Sequence, residues 1–258
     1  MKIYLADLPG RNSWTFKTNA FREGVRLLVS YAYANPDNVC SHYSCPAYGS
    51  GKKNLLGWAL DSGAFTAHSQ GTKIDHDQYI DYAKSCGAEE VFGLDVIGDP
   101  EGTVSNLEKE WAAGLNSIPT IHYGQATPER IAWARSGPTG KVAVGGVARA
   151  SFAKRWNHTA EVFRLAWPCK IHGLGIADAR ITTAFPFHSV DSSSWELAPL
   201  CYDQWYVYGG MSLKTPVRTE DEPFWSGDRN LWNQVAMMLD LERHATAIWK
   251  PLFDRTEF

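Results

Sequence analysis

The chain has 258 residues, 44 % of them hydrophobic and 21 % charged, and a net charge of −3. That length suits one α/β barrel and buries a substantial core, and the composition is that of an ordinary globular protein. The charge excludes a broad basic field, so any nucleic-acid surface must be local. No apolar run approaches the ~18 residues of a transmembrane helix, and no membrane association is expected. With 11 Trp, 11 Tyr and 11 Phe, many aromatic side chains should line the core or a ligand surface. Cys40, Cys45, Cys86, Cys169 and Cys201 are odd in number with no signal peptide before them, which predicts a reduced, cytoplasmic setting.

Short apolar runs alternate with helix-period segments, the pattern of βα units around a parallel sheet. The predicted strands are Lys2–Ala6, Arg26–Tyr31, Gly57–Asp61, Val91–Val96, Ile118–Tyr123, Lys141–Val147, Lys170–Ile176 and Phe185–Asp191. Between them, a helix starts near Asp75 and Gly87 can stop it. Thr103–Asn116 carries Val104, Leu107, Trp111 and Leu115 on one stripe, with Ser105 and Glu108 at capping-box spacing. Asp99, before Pro100, suits a loop cap. Thr127-Pro128-Glu129 opens another helix, Ser151 begins one with Phe152, Trp156 and Phe163 on a face, and a packing helix starts from Asp228. With no internal repeat or long linker, residues 1–258 form a single α/β domain, a TIM-type (β/α)₈ barrel.

Five successive predicted strands end in polar or glycine-rich runs, LDSGAFT, GLDVIGD, TIHYGQ, VGGVA and HGLGIAD, and the eighth ends in FHSVDSSSW. In a barrel these ends share one face, where active sites sit, and Asp61, Asp95 and Asp191 converge there.

The ordered set resembles the tRNA-guanine transglycosylase superfamily over roughly Leu55–Trp195. Asp61-Ser62-Gly63-Ala64-Phe65 resembles its Asp-Ser-Gly-Gly-aromatic motif, Leu94-Asp95 its Phe-Asp, and Gly145-Gly146-Val147-Ala148 its Gly-Gly-Leu-Ala loop. His172-Gly173-Leu174-Gly175 resembles the following strand end, and Val190-Asp191 falls at the family's nucleophilic aspartate. The run FPFHSVDSSSW is closer to phage and archaeal-type members that place 7-deazaguanines in DNA.

The resemblance implies a base exchange at C1′ through a covalent aspartyl-glycosyl intermediate, with Asp191 as nucleophile. Asp61 matches the carboxylate that handles the proton on the ring nitrogen, and Asp95 matches the acceptor for the guanine N1–H and amine. Ser62, His122 and the Gly145, Gly146 and Val147 backbone complete the expected base site. Phe65 matches the aromatic that stacks on the base, with barrel-mouth packing as the alternative.

Arg149, beside the glycine loop, is the first candidate for phosphate contact, with Lys52, Lys53 and Arg180 behind it. Lys154 and Arg155 fit a solvated helix face. Gly209–Arg229, with Lys214, Arg218 and Trp225, fits either a strand-gripping loop or a plain surface loop.

Three departures stand out. Nothing after Cys201 resembles the C-terminal zinc subdomain of the bacterial tRNA enzymes, which favours DNA over tRNA as partner. Cys40, His42 and Cys45 offer metal ligands at a non-standard spacing, and free cysteines are the simpler reading. His122-Tyr123-Gly124 stands where the tRNA enzymes have Gln-Gly, with a structural histidine as the competing role. No cofactor is required by this chemistry and zinc is not expected. The small-molecule substrate is a 7-deazaguanine of the preQ0 or preQ1 type. The tRNA enzymes often dimerise, so a homodimer stays open. The alternatives are a tRNA enzyme without its zinc module, a non-catalytic binding subunit, and a nucleoside or sugar hydrolase on the same barrel.

Overall fold

A computed structural model of the chain describes residues 1–6, 24–33, 55–196 and 227–256. Its strands are β1 (Lys2–Ala6), β2 (Val25–Ser30), β3 (Leu55–Asp61), β4 (Glu90–Phe92), β5 (Ser117–Ile118), β6 (Thr120–Ile121), β7 (Lys141–Val144), β8 (Lys170–Gly173) and β9 (Ser189–Ser192). All the pairings are parallel, and the order is β5-β4-β3-β2-β1-β9-β8-β7-β6. Its two end strands, β5 and β6, are consecutive in the chain with Pro119 alone between them, so the sheet comes round on itself.

The expected fifth strand is therefore present but broken. Proline has no N–H to give the ladder, yet its carbonyl still accepts from Ala143 N at 2.8 Å. This is the (β/α)₈ arrangement the sequence pattern predicts.

The helices are α1 (Ala64–Ser69), α2 (His76–Ser85), α3 (Pro100–Ala112), α4 (Pro128–Arg135), α5 (Phe152–Ala166), α6 (Ala179–Thr182) and α7 (Gly227–Phe253). Their starts are capped as the sequence suggests. Asp75, Thr127 and Ser151 each accept an amide of the first turn, from Gln78, Arg130 and Lys154.

Helix α3 departs from the expectation. It begins at Pro100, capped by Asp99 accepting from Gly102 N, so Ser105 and Glu108 lie inside it rather than at its start. A proline at the first helical position with an aspartate before it outweighs a capping box that begins five residues later. Among the described residues no helix is long and apolar enough to cross a membrane.

Apolar side chains fill two layers. The larger lies between the strands and the helices and includes Leu5, Leu27, Leu60, Val142, Val144 and Phe163. The smaller fills the lumen with Tyr4, Leu28, Ala59, Phe92, Ile118 and Ala143. Alternation along each strand makes this division, because every second side chain faces the axis. The next inward residues toward the carboxyl ends of β3 and β9 are thus Asp61 and Asp191.

The opposite end of the lumen is closed by charge. Glu90 is buried and bonds Lys141 Nζ at 2.9 Å, with His188 at 3.9 Å, while Arg26 meets Glu242 of α7 at 3.2 Å. Burial drives His188 down to about 4, so it stays neutral there. Removing one partner strands a buried charge. Lys141→Met is expected to cost about 3 kcal/mol in urea unfolding, and Glu90→Met with Lys141→Met to recover most of it.

Candidate active site at the carboxyl mouth of the barrel

Asp191 sits in β9 beside Tyr4 of β1 and is buried. Its Oδ1 takes two bonds, from Gly175 N at 2.9 Å and from His172 Nε2 at 3.2 Å. A carboxylate only accepts, so Nε2 carries the proton. The other ring nitrogen, Nδ1, is 2.8 Å from Ser189 Oγ. A neutral His172 then accepts the serine proton at Nδ1, which fixes one tautomer. Phe92 packs against the imidazole at 4.5 Å between ring centroids, which holds its plane. Both bonds to Asp191 fall on Oδ1, so among the described residues Oδ2 is the oxygen not held.

Asp61 ends β3, paired in register with Ser30. Burial, reinforced by the negative charge of Asp191 and more weakly of Asp95, pushes its carboxyl up to about 7. The Gly63 amide, which donates to Oδ2 at 3.0 Å, opposes this but does not cancel it. The raised Asp61 carboxyl, beside the charge of Asp191, has the character of a proton donor near neutral pH.

Asp95 lies just past β4 and its Oδ2 is 2.9 Å from His122 Nε2. Its Oδ1 is buried with no partner. Burial alone would lower His122, but the bond to Asp95 and its charge outweigh this and hold the imidazole above its ordinary value. His122 thus sits in the site as half of a dyad, not as an isolated strand-end histidine.

The loop that carries Asp95 is held from behind. The expected strand Val91–Val96 ends at Phe92; Gly93 N still donates to Ile118 O of β5 at 3.1 Å, and from Leu94 on the backbone bonds side chains instead of a neighbouring strand. Glu110 of α3 accepts from Leu94 N at 3.0 Å, Asn106 donates to Leu94 O at 2.9 Å, and Thr103 Oγ1 accepts from Val96 N at 2.8 Å. His76 of α2 meets the same Glu110 oxygen at 3.1 Å. Both residues flanking Asp95 are fixed, so the carboxylate has little freedom of direction.

The glycine loop is shaped by close approach. A Cβ on Gly145 would meet Thr120 Cγ2 at 2.3 Å. Gly146 has φ +71°, and a Cβ there would meet His122 Nδ1 at 3.0 Å. A tight turn and a wall against His122 are thus one requirement. Val147 turns its side chain into the core, so only its backbone is available to a ligand, and Ser62 is buried beside Asp61.

Phe65 is 54 % exposed. The Arg149 guanidinium lies over its ring, 5.1 Å from the centroid. Strands β3 and β7 lie well apart around the barrel, so this contact spans the mouth.

Arg180 departs from the expectation of a free phosphate-binding cation. It meets the buried Asp178 through Nε at 3.0 Å and NH2 at 2.7 Å, and stacks on Phe152 at 4.0 Å. Its charge is already matched. Lys52 and Lys53, Cys40, His42 and Cys45, and the segment 209–226 lie outside the described residues. Among the described residues no three His, Cys, Asp or Glu side chains group as a metal site.

Sequence reasoning placed Asp61, Asp95, His122 and Asp191 together, and the structure does bring them to one mouth. It missed His172 as a holder of Asp191, Ser189 as the partner that orients His172, and Glu110 as a holder of Leu94. The signal for His172 was its place at the start of the HGLG run, with parity pointing it inward. Glu110 gave none, because a glutamate in a helix pattern is ordinarily solvated.

No protein-family model matches the chain, and no curated protein matches it. Among solved structures it is similar to the YdjI aldolase from Escherichia coli K12, at 12 % identity and TM-score 0.52. That match covers 96 % of this chain and 90 % of the aldolase. It is also similar to a mutant tryptophan synthase alpha-subunit from the hyperthermophile Pyrococcus furiosus, at 13 % identity and TM-score 0.51. Here the match covers 92 % of this chain and 96 % of the subunit. Identities this low bear on the fold alone, and both neighbours are barrels of this type named for other chemistry.

Two measurements follow from these geometries. The unfolded Asp61 carboxyl ionises near its ordinary 3.8 and the folded one only near 7, so stability falls as pH rises between those values. Asp61→Asn should exceed the wild type by on the order of 3 kcal/mol in urea unfolding at pH 8, with the difference gone at pH 4. In proton NMR, His122 should titrate above an ordinary histidine. Asp95→Asn should drop it below, because burial then acts alone. Glu110→Met, which leaves the Leu94 amide without its acceptor, should move it the same way with the fold intact.

Proposed function

We propose that this barrel is an enzyme that exchanges a purine base on a polynucleotide, replacing guanine in DNA with a 7-deazaguanine. The observation that carries this reading is the pairing of Asp191, pinned through one oxygen, with Asp61, whose carboxyl titrates near neutrality. Those are the states a retaining displacement at C1′ asks of a nucleophile and a proton donor.

In the first half, Asp191 Oδ2 attacks C1′ as the bond from C1′ to the guanine nitrogen breaks. The electron pair of that bond goes to the base, and protonated Asp61 gives its proton to the leaving nitrogen. In the second half, the Asp61 carboxylate takes the proton from the incoming base. The freed ring nitrogen attacks C1′, and Asp191 leaves with the electron pair of the glycosyl bond. His172 and the Gly175 amide stabilise Asp191 whenever it carries charge, in the free enzyme and again as it departs. Asp95 presents its unpartnered Oδ1 to the donor edge of the base, and Phe65 offers a face to its ring. A base in duplex DNA is flipped out to reach this depth.

One observation favours a second reading. The Asp95–His122 dyad is a general base of the kind that activates water, and water at the glycosyl intermediate would make the protein an N-glycoside hydrolase. The two readings differ in what leaves with the nucleic acid: a new base or a bare sugar.

Labelled guanine is mixed with the protein and, separately, duplex DNA, single-stranded DNA and tRNA. The expected result is label in DNA, lost on the order of 10³-fold or more in Asp191→Ala. Label in tRNA alone would reverse the choice of nucleic acid and keep the chemistry. Release of free guanine from unlabelled DNA, without incorporation, would favour the hydrolase. Neither incorporation nor release would remove the proposal.

A further inference from the structure

Among the described residues, four cations lie over aromatic rings: Arg130 over Trp133, Arg149 over Phe65, Lys154 over Tyr123 and Arg180 over Phe152. Two of these cations also hold an acid, Arg130 with Glu101 at 2.8 Å and Arg180 with Asp178 at 2.7 Å. Arg149 and Lys154 hold none among the described residues. Both unpaired cations sit at the carboxyl mouth, and both cover rings that are largely in water, Phe65 at 54 % and Tyr123 at 53 % exposed. Arg155, next to Lys154, is by contrast paired to Asp178 at 3.3 Å. Lys154 is exposed, as expected of a solvated helix face, and its ammonium lies 5.8 Å from the centre of the Tyr123 ring.

Tyr123 is also built to stay in place. It follows His122 of the dyad directly, so its backbone is anchored at the site. Its ring meets His158 edge-on at 5.7 Å between centroids. His158 is buried and bonds Ile121 O at 3.0 Å, so the ring leans on a fixed support. A large aromatic held rigidly in water at an active-site rim, with an uncommitted cation over it, has the two parts of a single-strand binding element. The ring gives a stacking face that accepts any base, and the cation meets phosphate.

We infer that Tyr123 and Lys154 form a second platform, which takes the base and phosphate of the nucleotide next to the one entering the pocket. This rests on the base-exchange reading for the identity of the pocket nucleotide. The occupant is DNA in single-stranded or locally opened form. Phe65 with Arg149 and Tyr123 with Lys154 then hold two successive nucleotides at different points of the rim, which is how a chain of net charge −3 grips a polyanion without a basic field.

The test separates binding from chemistry by working in an Asp191→Ala background with no free base present. A fluorescent single-stranded oligodeoxynucleotide is titrated with protein at low salt and read by anisotropy. Tyr123→Ala should weaken binding about 5- to 100-fold, and Tyr123→Phe should restore it to within about 3-fold. Lys154→Gln should lower the slope of log K against log salt by about 0.7, the share of one phosphate contact on a single strand. Circular dichroism confirms that the variants fold.

Binding of Tyr123→Ala within twofold of its parent, or no oligonucleotide binding at all, overturns the platform. Dependence on Tyr123 with tRNA but not with DNA overturns DNA as its occupant. Tyr123-dependent binding without base exchange in the active protein would leave the platform standing and remove the reading of the pocket. Base exchange without that dependence would do the reverse.

Discussion

The imidazole of His172 ties the packed interior of the barrel to its carboxyl mouth. It touches Phe92 in the lumen, takes Ser189 on one nitrogen and holds Asp191 with the other. An ionised carboxylate buried this deeply needs donors, since water cannot serve it. Here the donors are one side chain and the Gly175 amide, both from the end of β8. Parallel register puts β8 beside β9 and sets His172 level with Ser189, one inward position below Asp191. The geometry of the site is therefore a property of the sheet, and loops adjust it without creating it.

The two ends of the lumen handle charge in opposite ways. At the amino end Glu90 is matched by Lys141, and Arg26 by Glu242, so burial there is compensated. At the carboxyl end, among the described residues, Asp61 has an amide but no cation, and Asp95 keeps one oxygen without a partner. Carboxylates set close together raise the energy of the site, and the rest of the barrel must supply stability against it. That division fits the general separation of barrel faces into one that holds the fold and one that works.

Much of this was legible in the sequence because it depends on short-range pattern. Strand alternation and polar strand ends located Asp61, Asp95 and Asp191, and caps such as Thr127 and Ser151 followed from residue type. What could not be read was anything set by parity across distant segments. Nothing local distinguishes Glu110 from the solvated Glu108 two residues earlier, yet one faces β4 and the other water. The ends of β4, β7 and β8 were drawn too long for a related reason. Apolar residues continue past Phe92, Val144 and Gly173, but only the first residue beyond each, Gly93, Gly145 and Leu174, still donates to a neighbouring strand before the backbone turns away. Arg180 looked free because nothing in the sequence marks Asp178, two residues before it, as a buried acid.

The Arg149 guanidinium over Phe65 has one further consequence. The mouth already contains a planar, delocalised group on its aromatic face, tethered and so present at high local concentration. Any heterocycle that comes to that face exchanges with it, and the affinity measured is a difference between two stackings. Strengthening the ring at position 65 therefore strengthens the incumbent along with the newcomer. Selectivity at this mouth must come from the edges of the heterocycle, where Arg149 has nothing to offer in competition.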